Sequence, residues 1–291
     1  MSRLKYWLLA ARPKTLLVIV SPVIVGGALA RVESGRISWL PWLATLLAAI
    51  CIQIGTNLHN DAADFERGTD TPDRLGPRRA AAEGWLSPAS VRRGAFICFA
   101  TAFLLGVYLV SVGGWPIALL GLASIACGYA YTGGPRPIAY TPLGELFVLL
   151  FFGLAAVGGT YYLQTLDISR AALLAGVGVG LPAAAVLLIN NYRDLETDRR
   201  AGKHTLTAHI DRPASRVLYS VMLLLPLALA LPLIPQPNLR WLPWLCLPMA
   251  LWMAHRLWRL PVDRRLNDLL ARTAQYQLLY SLLLCIALGL M

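Results

Sequence analysis

Charge is scarce in this chain: Asp, Glu, Lys and Arg make up only 14% of its 291 residues. A soluble domain carries about 25%. With 57% hydrophobic residues and a mean hydropathy of +0.59, too little polar side chain remains to cover a water-facing surface, which excludes the ordinary soluble classes. Cysteine and histidine are sparse as well. Cys51, Cys98, Cys127, Cys246 and Cys285 each sit inside an apolar run without pairing or ligand spacing; they read as small core hydrophobes, not as a disulfide framework or thiolate metal site. His59, His204, His209 and His255 have no metal-ligand spacing, and His59 reads as a polar neighbour of other groups.

What is present is a series of apolar runs near residues 15–31, 38–60, 94–112, 115–132, 141–163, 171–192, 217–234, 240–255 and 273–290, each long enough to cross hydrocarbon. They predict an all-α, polytopic membrane protein, a bundle of nine transmembrane helices forming one domain over residues 1–291. The net charge of +11 and pI near 9.8 would suit nucleic acid, but the basic residues sort by side. Of the 26 Lys and Arg, 22 fall on the side of the N-terminus and only Arg31, Arg36, Arg170 and Arg240 on the other. The positive-inside rule then makes the N-terminus cytoplasmic and, after nine spans, the C-terminus external. Trp39, Trp42, Trp115, Trp241 and Trp244 fall where an outer aromatic belt is expected. The stretch Lys14 to Ala30, ending Ala28-Leu29-Ala30, has the form of a signal peptide; the charge pattern works with it retained, so it reads as the first span.

Two acidic clusters end long apolar runs: Gln53-Ile54-Gly55-Thr56-Asn57-Leu58-His59-Asn60-Asp61-Ala62-Ala63-Asp64 and Asn190-Asn191-Tyr192-Arg193-Asp194-Leu195-Glu196-Thr197-Asp198. Ionisable groups at a membrane boundary are costly unless they face a wet cavity, each other or a metal. On helices, Gln53, Asn57, Asn60 and Asp64 form one stripe and Asn190, Asp194 and Asp198 a second. Helix capping explains single residues of this kind but not two ordered stripes. The repeated Asn-x-x-x-Asp is compatible with two related halves of about four spans each.

Clusters offering only carboxylate and amide oxygens suit a hard cation, and Mg²⁺ usually joins one or two carboxylates to substrate phosphates. The expected ligand is therefore a diphosphate, flanked by Arg67, Arg74, Arg78 and Arg79 in one cytoplasmic loop region (about 61–93) and Arg193, Arg199, Arg200 and Lys203 in the other (about 192–216). Any one of these taken singly also suits an anchor to anionic lipid. A diphosphate at the mouth of an apolar bundle points to a lipid diphosphate whose tail lies between the helices. An allylic cation formed from it would need aromatic faces and exclusion of water. Tyr129, Tyr131, Tyr161 and Tyr162 are candidates, with the last two better placed for the interfacial belt. Glu145 fits either a base or a structural partner.

These residues carry a resemblance. The chain resembles the UbiA superfamily of intramembrane aromatic prenyltransferases through Ala11-Arg12-Pro13-Lys14-Thr15, Asn60-Asp61-Ala62-Ala63-Asp64-Phe65-Glu66-Arg67-Gly68-Thr69-Asp70 and Asp73-Arg74-Leu75-Gly76-Pro77. Tyr131-Thr132-Gly133-Gly134-Pro135, Gly144-Glu145-Leu146-Phe147-Val148 and the second acidic cluster continue it. The resemblance implies that Asn60, Asp61, Asp64, Asn190, Asp194 and Asp198 hold Mg²⁺. It further implies that Asn57, Asn60, Arg67, Arg74, Asn190, Arg193 and Lys203 bind substrate, with Asp64, Asp194, Glu145 and Tyr131 as catalytic candidates. Where many superfamily members carry a further Asp four residues after the one at Asp64, this chain has Gly68, with Asp70 and Asp73 beyond. That arrangement looks like the branch that prenylates 1,4-dihydroxy-2-naphthoate, replacing a ring carboxylate by the chain of a polyprenyl diphosphate with loss of CO₂ and diphosphate to give demethylmenaquinone, in the bacterial cytoplasmic (inner) membrane.

Rival readings fit less well. A cation-coupled transporter should carry its carboxylates near mid-membrane on broken helices. A phospholipid head-group transferase should show Asp-Gly followed by Ala-Arg and spaced Asp residues, a pattern missing here. A soluble prenyl diphosphate synthase would have amphipathic helices. Within the superfamily the alternative acceptor is 4-hydroxybenzoate or another phenolic acid.

Overall fold

Inside a bilayer, apolar runs of this length can pair their backbone N–H and C=O groups internally only as helices or closed barrels, and the helix is what forms. A computed structural model describes residues 3–69 and 74–289 and is helical throughout its elements. A short helix α1 (Arg3–Ala11) precedes α2 (Pro13–Ser34), α3 (Trp39–Glu66) and α4 (Pro88–Ala130). Then come α5 (Gly144–Val148), a π-helical segment (Leu149–Ala155) and α6 (Ala156–Thr165), which together form one rod. The chain closes with α7 (Arg170–Arg200), α8 (Leu206–Leu229), α9 (Leu247–Arg259) and α10 (Leu266–Gly289).

Among the described residues seven helical stretches are long and apolar enough to cross a membrane. Two observations bring the crossings to the expected nine. First, the 43-residue α4 contains Gly114 at φ 68°, ψ −159°, a conformation that residues with a Cβ rarely adopt, so the runs 94–112 and 115–132 are two arms meeting at that break. Second, α8 and α10 run parallel: Tyr219 Oη pairs with Thr273 Oγ1 at 2.7 Å, and Tyr280 Oη donates to Pro226 O at 3.0 Å. The chain between them must cross back, and it does so through a 3₁₀ turn (Pro243–Cys246) and α9.

Boundaries shift where polar residues extend a helix past the hydrocarbon. The span expected to end at residue 192 continues to Arg200, and α8 begins at Leu206, well ahead of residue 217, with a break at Asp211 (φ 61°). Helix α1 lies outside the expected spans because it is short and basic; it docks through Tyr6, which stacks on Trp85 at 5.2 Å. Of the expected belt, Trp39, Trp115, Trp241 and Trp244 are exposed, whereas Trp42 turns inward and donates from Nε1 to Val23 O at 3.2 Å. Tyr161 also leaves the belt: it is buried and donates to the Glu33 carboxylate. A buried phenol needs such an acceptor.

The main core gathers side chains of α2, α6, α7, α8, α9 and α10. The π-helical segment lies unusually close to α7: a Cβ on Gly153 would stand 2.4 Å from Gly176 O and 2.8 Å from Gly180 Cα. Small residues at such crossings are how membrane helices gain contact. Phe147 in α5 and Phe151 and Phe152 in the π segment line a cavity between the helices.

Candidate active site

The C-terminal ends of α3 and α7 bring both polar stripes to one place. Asn60 and Asp64 from α3 face Asn190, Asp194 and Asp198 from α7 across a polar pocket of about 60 Å³, with Arg74, Arg79 and Lys203 completing its wall. Helical spacing aims every fourth residue the same way, so each stripe arrives as a unit. The Arg79 guanidinium pairs with Asp64 Oδ2, and both groups are buried. Asp64 Oδ1 and Asn60 Oδ1 are buried without a hydrogen-bond partner. Asp198 Oδ1 lies 3.4 Å from Lys203 Nζ.

These donors fit a hard cation: they are all oxygen, and two of them are buried acceptors with nothing to accept from. Among the described residues no three His, Cys, Asp or Glu side chains converge as a metal cluster. An ion such as Mg²⁺ fits an all-oxygen donor set of this kind, because it takes one or two carboxylates and fills its remaining positions from phosphate and water.

Above the polar pocket a cavity of about 570 Å³ extends between the helices, lined mainly by residues such as Val18, Ala48, Ile52, Val110, Phe147 and Phe151. Asn60, Arg74, Arg79, Tyr131, Leu187 and Asn190 line both spaces. One ring of side chains thus separates a polar end from an apolar one. Tyr131 is the only one of the four candidate tyrosines in that ring. Tyr129 is exposed and stacks on His59 at 4.5 Å, and His59 lines neither space.

Several predicted site residues are placed beside the pocket. Asp61, next to Asn60 but turned away by the helix, accepts from the N–H groups of Ala80 and Ala81 at 3.0 and 3.2 Å. Asn57 donates to Ala11 O at 3.0 Å and Thr15 Oγ1 at 3.2 Å, tying α3 to the start of α2 while lining the apolar cavity. Arg67 donates to Thr132 O and, at 2.9 Å, to Gly134 O. Arg193, buried, donates from Nε to Asp194 Oδ1 at 2.7 Å, and its other nitrogens reach Asn190 Oδ1 at 2.8 Å and Asn267 Oδ1 at 2.6 Å. Glu145 is buried outside both spaces and accepts from Asn191 Nδ2 at 2.9 Å. Arg78 and Arg199 pair with Glu83 and Asp211. Asp70 and Asp73 lie outside the described residues.

The structure adds groups the sequence did not single out. Arg12, in a left-handed conformation (φ 55°) ahead of Pro13, lines the apolar cavity near its polar end; burial, then Arg79 and Arg74, pushes its guanidinium below its ordinary value. Nearby cations make such a site a strong attractor of anions. Tyr140 lies beneath two cations, Arg67 at 5.4 Å and Lys203 at 5.2 Å from its ring centre. Asn267, at the start of α10, donates to Leu75 O at 2.9 Å.

The sequence model of the UbiA prenyltransferase family matches residues 19–283. The chain is 37% identical to the 1,4-dihydroxy-2-naphthoate octaprenyltransferase of Haemophilus influenzae over 76% of this chain and 74% of that one. It is 36% identical to the enzyme of the same name from Escherichia coli, over 97% and 94%. Its fold is similar to a solved UbiA homolog from Archaeoglobus fulgidus bound to DMAPP and Mg²⁺, with a TM-score of 0.69 at 15% identity over 98% of this chain and 100% of that one.

Proposed function

The chain belongs to the UbiA prenyltransferase family, and from that premise we propose that it joins a polyprenyl chain to 1,4-dihydroxy-2-naphthoate. The observation that supports this most is the single ring, Asn60, Arg74, Arg79, Tyr131, Leu187 and Asn190, between a carboxylate-bearing pocket and a long apolar cavity. A polyprenyl diphosphate has the same division, and its reacting carbon falls at the ring when the diphosphate occupies the pocket.

Arg12, Arg74, Arg79 and Lys203 draw in and orient the diphosphate by charge-assisted contacts. Asn60, Asp64, Asn190, Asp194 and Asp198 are the residues that would hold Mg²⁺, which when bound neutralises charge on the leaving diphosphate. Asp61 supports the loop and Arg193 supports Asp194. Phe147, Phe151 and the apolar wall keep water from the allylic centre, and the Tyr131 ring offers it a π face. The C1–O bond breaks with its electron pair leaving on diphosphate, and a bond forms from C1 to the ring carbon that bears the carboxylate. Loss of CO₂ returns the C–C pair to the ring, giving demethylmenaquinone in its reduced form. No proton has to leave that carbon, so no base is required there. Glu145 accordingly serves as the partner that holds Asn191.

Purified protein given naphthoate, 4-hydroxybenzoate and other phenolic acids with one prenyl diphosphate, and read by mass, tests the acceptor. The expected product has gained the prenyl group and lost CO₂. Prenylated 4-hydroxybenzoate with its carboxylate intact, and no naphthoate product, would overturn the assignment.

Arg74→Ala and Lys203→Ala are expected to raise KM for prenyl diphosphate while leaving KM for the acceptor nearly unchanged. Arg67→Ala should disturb both substrates alike, because Arg67 spends its donors on the carbonyls of Thr132 and Gly134. Steady-state kinetics with each substrate varied in turn would separate the two patterns.

The bacterial relatives and the charge asymmetry support a cytoplasmic membrane location with the N-terminus inside. In a variant whose five native cysteines are replaced, a cysteine at Arg78 should be shielded from an impermeant maleimide in intact cells and one at Asp167 labelled. The opposite pattern would invert the topology.

A further inference from the structure

We propose that Arg216, with Arg256 and Arg259 beside it, binds the phosphate of an anionic phospholipid where α8 meets α9, and that an acyl chain of this lipid lies along α8. Arg216 is held in place: its Nε donates to Tyr192 Oη at 2.9 Å, and its guanidinium carbon stands 5.8 Å from the ring centre of Tyr192 and 5.4 Å from that of Trp258. Two aromatic rings fix a cation in this way without neutralising it. Its terminal nitrogens find no acceptor among the described residues. Arg256, 5.5 Å from the Trp252 ring centre, and Arg259 lie on one exposed face of α9. Acids of the surrounding segments are taken by other arginines: Glu196 by Arg212, Asp211 by Arg199 and Asp263 by Arg265. Among the described residues none of Arg216, Arg256 and Arg259 is ion-paired.

The cluster stands at the edge of hydrocarbon. Arg216 immediately precedes the apolar run 217–234, and Val217, Val221 and Leu225, all exposed and spaced by four, form one stripe leading away from it. The stripe covers about 12 Å at the helical rise, most of one leaflet of a core about 30 Å thick. On α9, Trp258 and Leu251 are exposed in the same way. A guanidinium fork suits a phosphate, a tryptophan ring suits the headgroup boundary, and an apolar stripe suits an acyl chain. An anionic phospholipid presents partners for all three in that order, whereas a soluble phosphate would leave the stripe unused. The unpaired cations favour a lipid with net negative charge. Tyr192, wholly buried, sits on α7 between Asn191 and Arg193. A phosphate on Arg216 therefore bears on the segment of α7 that carries Asn190 and Asp194.

Native mass spectrometry of the protein in a neutral detergent, titrated with dioleoyl phosphatidylglycerol or dioleoyl phosphatidylcholine, tests the site. The parent should retain phosphatidylglycerol preferentially. Arg216→Gln should weaken that binding roughly fivefold, the scale of one basic residue against an anionic lipid surface, and leave phosphatidylcholine binding unchanged. Arg93→Gln, which removes an exposed arginine near the start of α4, should leave both unchanged. Equal losses of phosphatidylglycerol in the two variants would reduce the site to diffuse surface charge and overturn it. Glycerol 3-phosphate competing as well as the whole lipid would overturn it too. A second measurement uses the unaltered chain. Phosphatidylglycerol carrying a diazirine midway along an acyl chain, irradiated in nanodiscs, should label the peptide containing Val217, Val221 and Leu225. Label confined to other helices would refute the site.

Discussion

Asp64→Asn is expected to cut turnover by roughly 100-fold to 1,000-fold, the range seen when one electrostatic contact to a developing charge is removed, while the protein still folds and inserts. The asparagine keeps an oxygen for the Arg79 guanidinium, which pairs with Asp64 Oδ2, so the buried contact survives in neutral form. What disappears is the negative charge at the Oδ1 position, the buried oxygen that lacks a partner. Asp64→Ala is the harsher change: it removes the anion that balances a buried guanidinium, and breaking such a pair costs about 3–5 kcal/mol. Comparing turnover, Mg²⁺ dependence and thermal stability of the two variants separates the lost charge from the lost packing. Near-normal turnover of Asp64→Asn at saturating Mg²⁺ would remove Asp64 from the reaction.

Arg193→Leu is expected to show the opposite profile, losing stability first. Arg193 is almost wholly buried and joins Asp194, Asn190 and Asn267, and Asn267 in turn holds the carbonyl of Leu75. The backbone of the arginine-bearing loop packs on the same guanidinium, since a Cβ on Gly76 would lie 2.8 Å from its Nη2. Leaving the Asp194 carboxylate without that partner should cost about 3–5 kcal/mol and loosen the loop that carries Arg74 and Arg79. Denaturation in detergent, followed by a thiol- or fluorescence-based melt, would measure it. A melting curve unchanged from the parent protein would mean the network contributes nothing to the fold.

The stripes were legible because helical periodicity is a local property: four residues on, a side chain returns to the same face, and Asn60, Asp64, Asn190, Asp194 and Asp198 arrive together for that reason alone. What was not legible depends on partners distant in sequence. Asp61, which the resemblance puts among the metal ligands, is rotated away from Asn60, and a loop some twenty residues later supplies its hydrogen bonds. Arg193 and Arg67 looked like anion contacts because they adjoin carboxylates, and both are consumed by neighbours that folding brings near. Asn267 carries no signal of its own, being one amide at a helix start. The nine crossings were read from hydropathy, yet the eighth is short and is secured by the parallel alignment of α8 and α10, an arrangement visible only in three dimensions.

The wall of the polar pocket carries three carboxylates, Asp64, Asp194 and Asp198, and three cations, Arg74, Arg79 and Lys203. Arg193 on Asp194 and Arg12 beside Arg74 and Arg79 add positive charge to it. A diphosphate brings a large negative charge to the site and a divalent cation brings the reverse; together they largely cancel. Linkage then requires each to raise the affinity for the other by the same factor. On the proposed reading, the cations draw the diphosphate in, and the bound diphosphate would then raise the affinity for the divalent ion that the carboxylates hold.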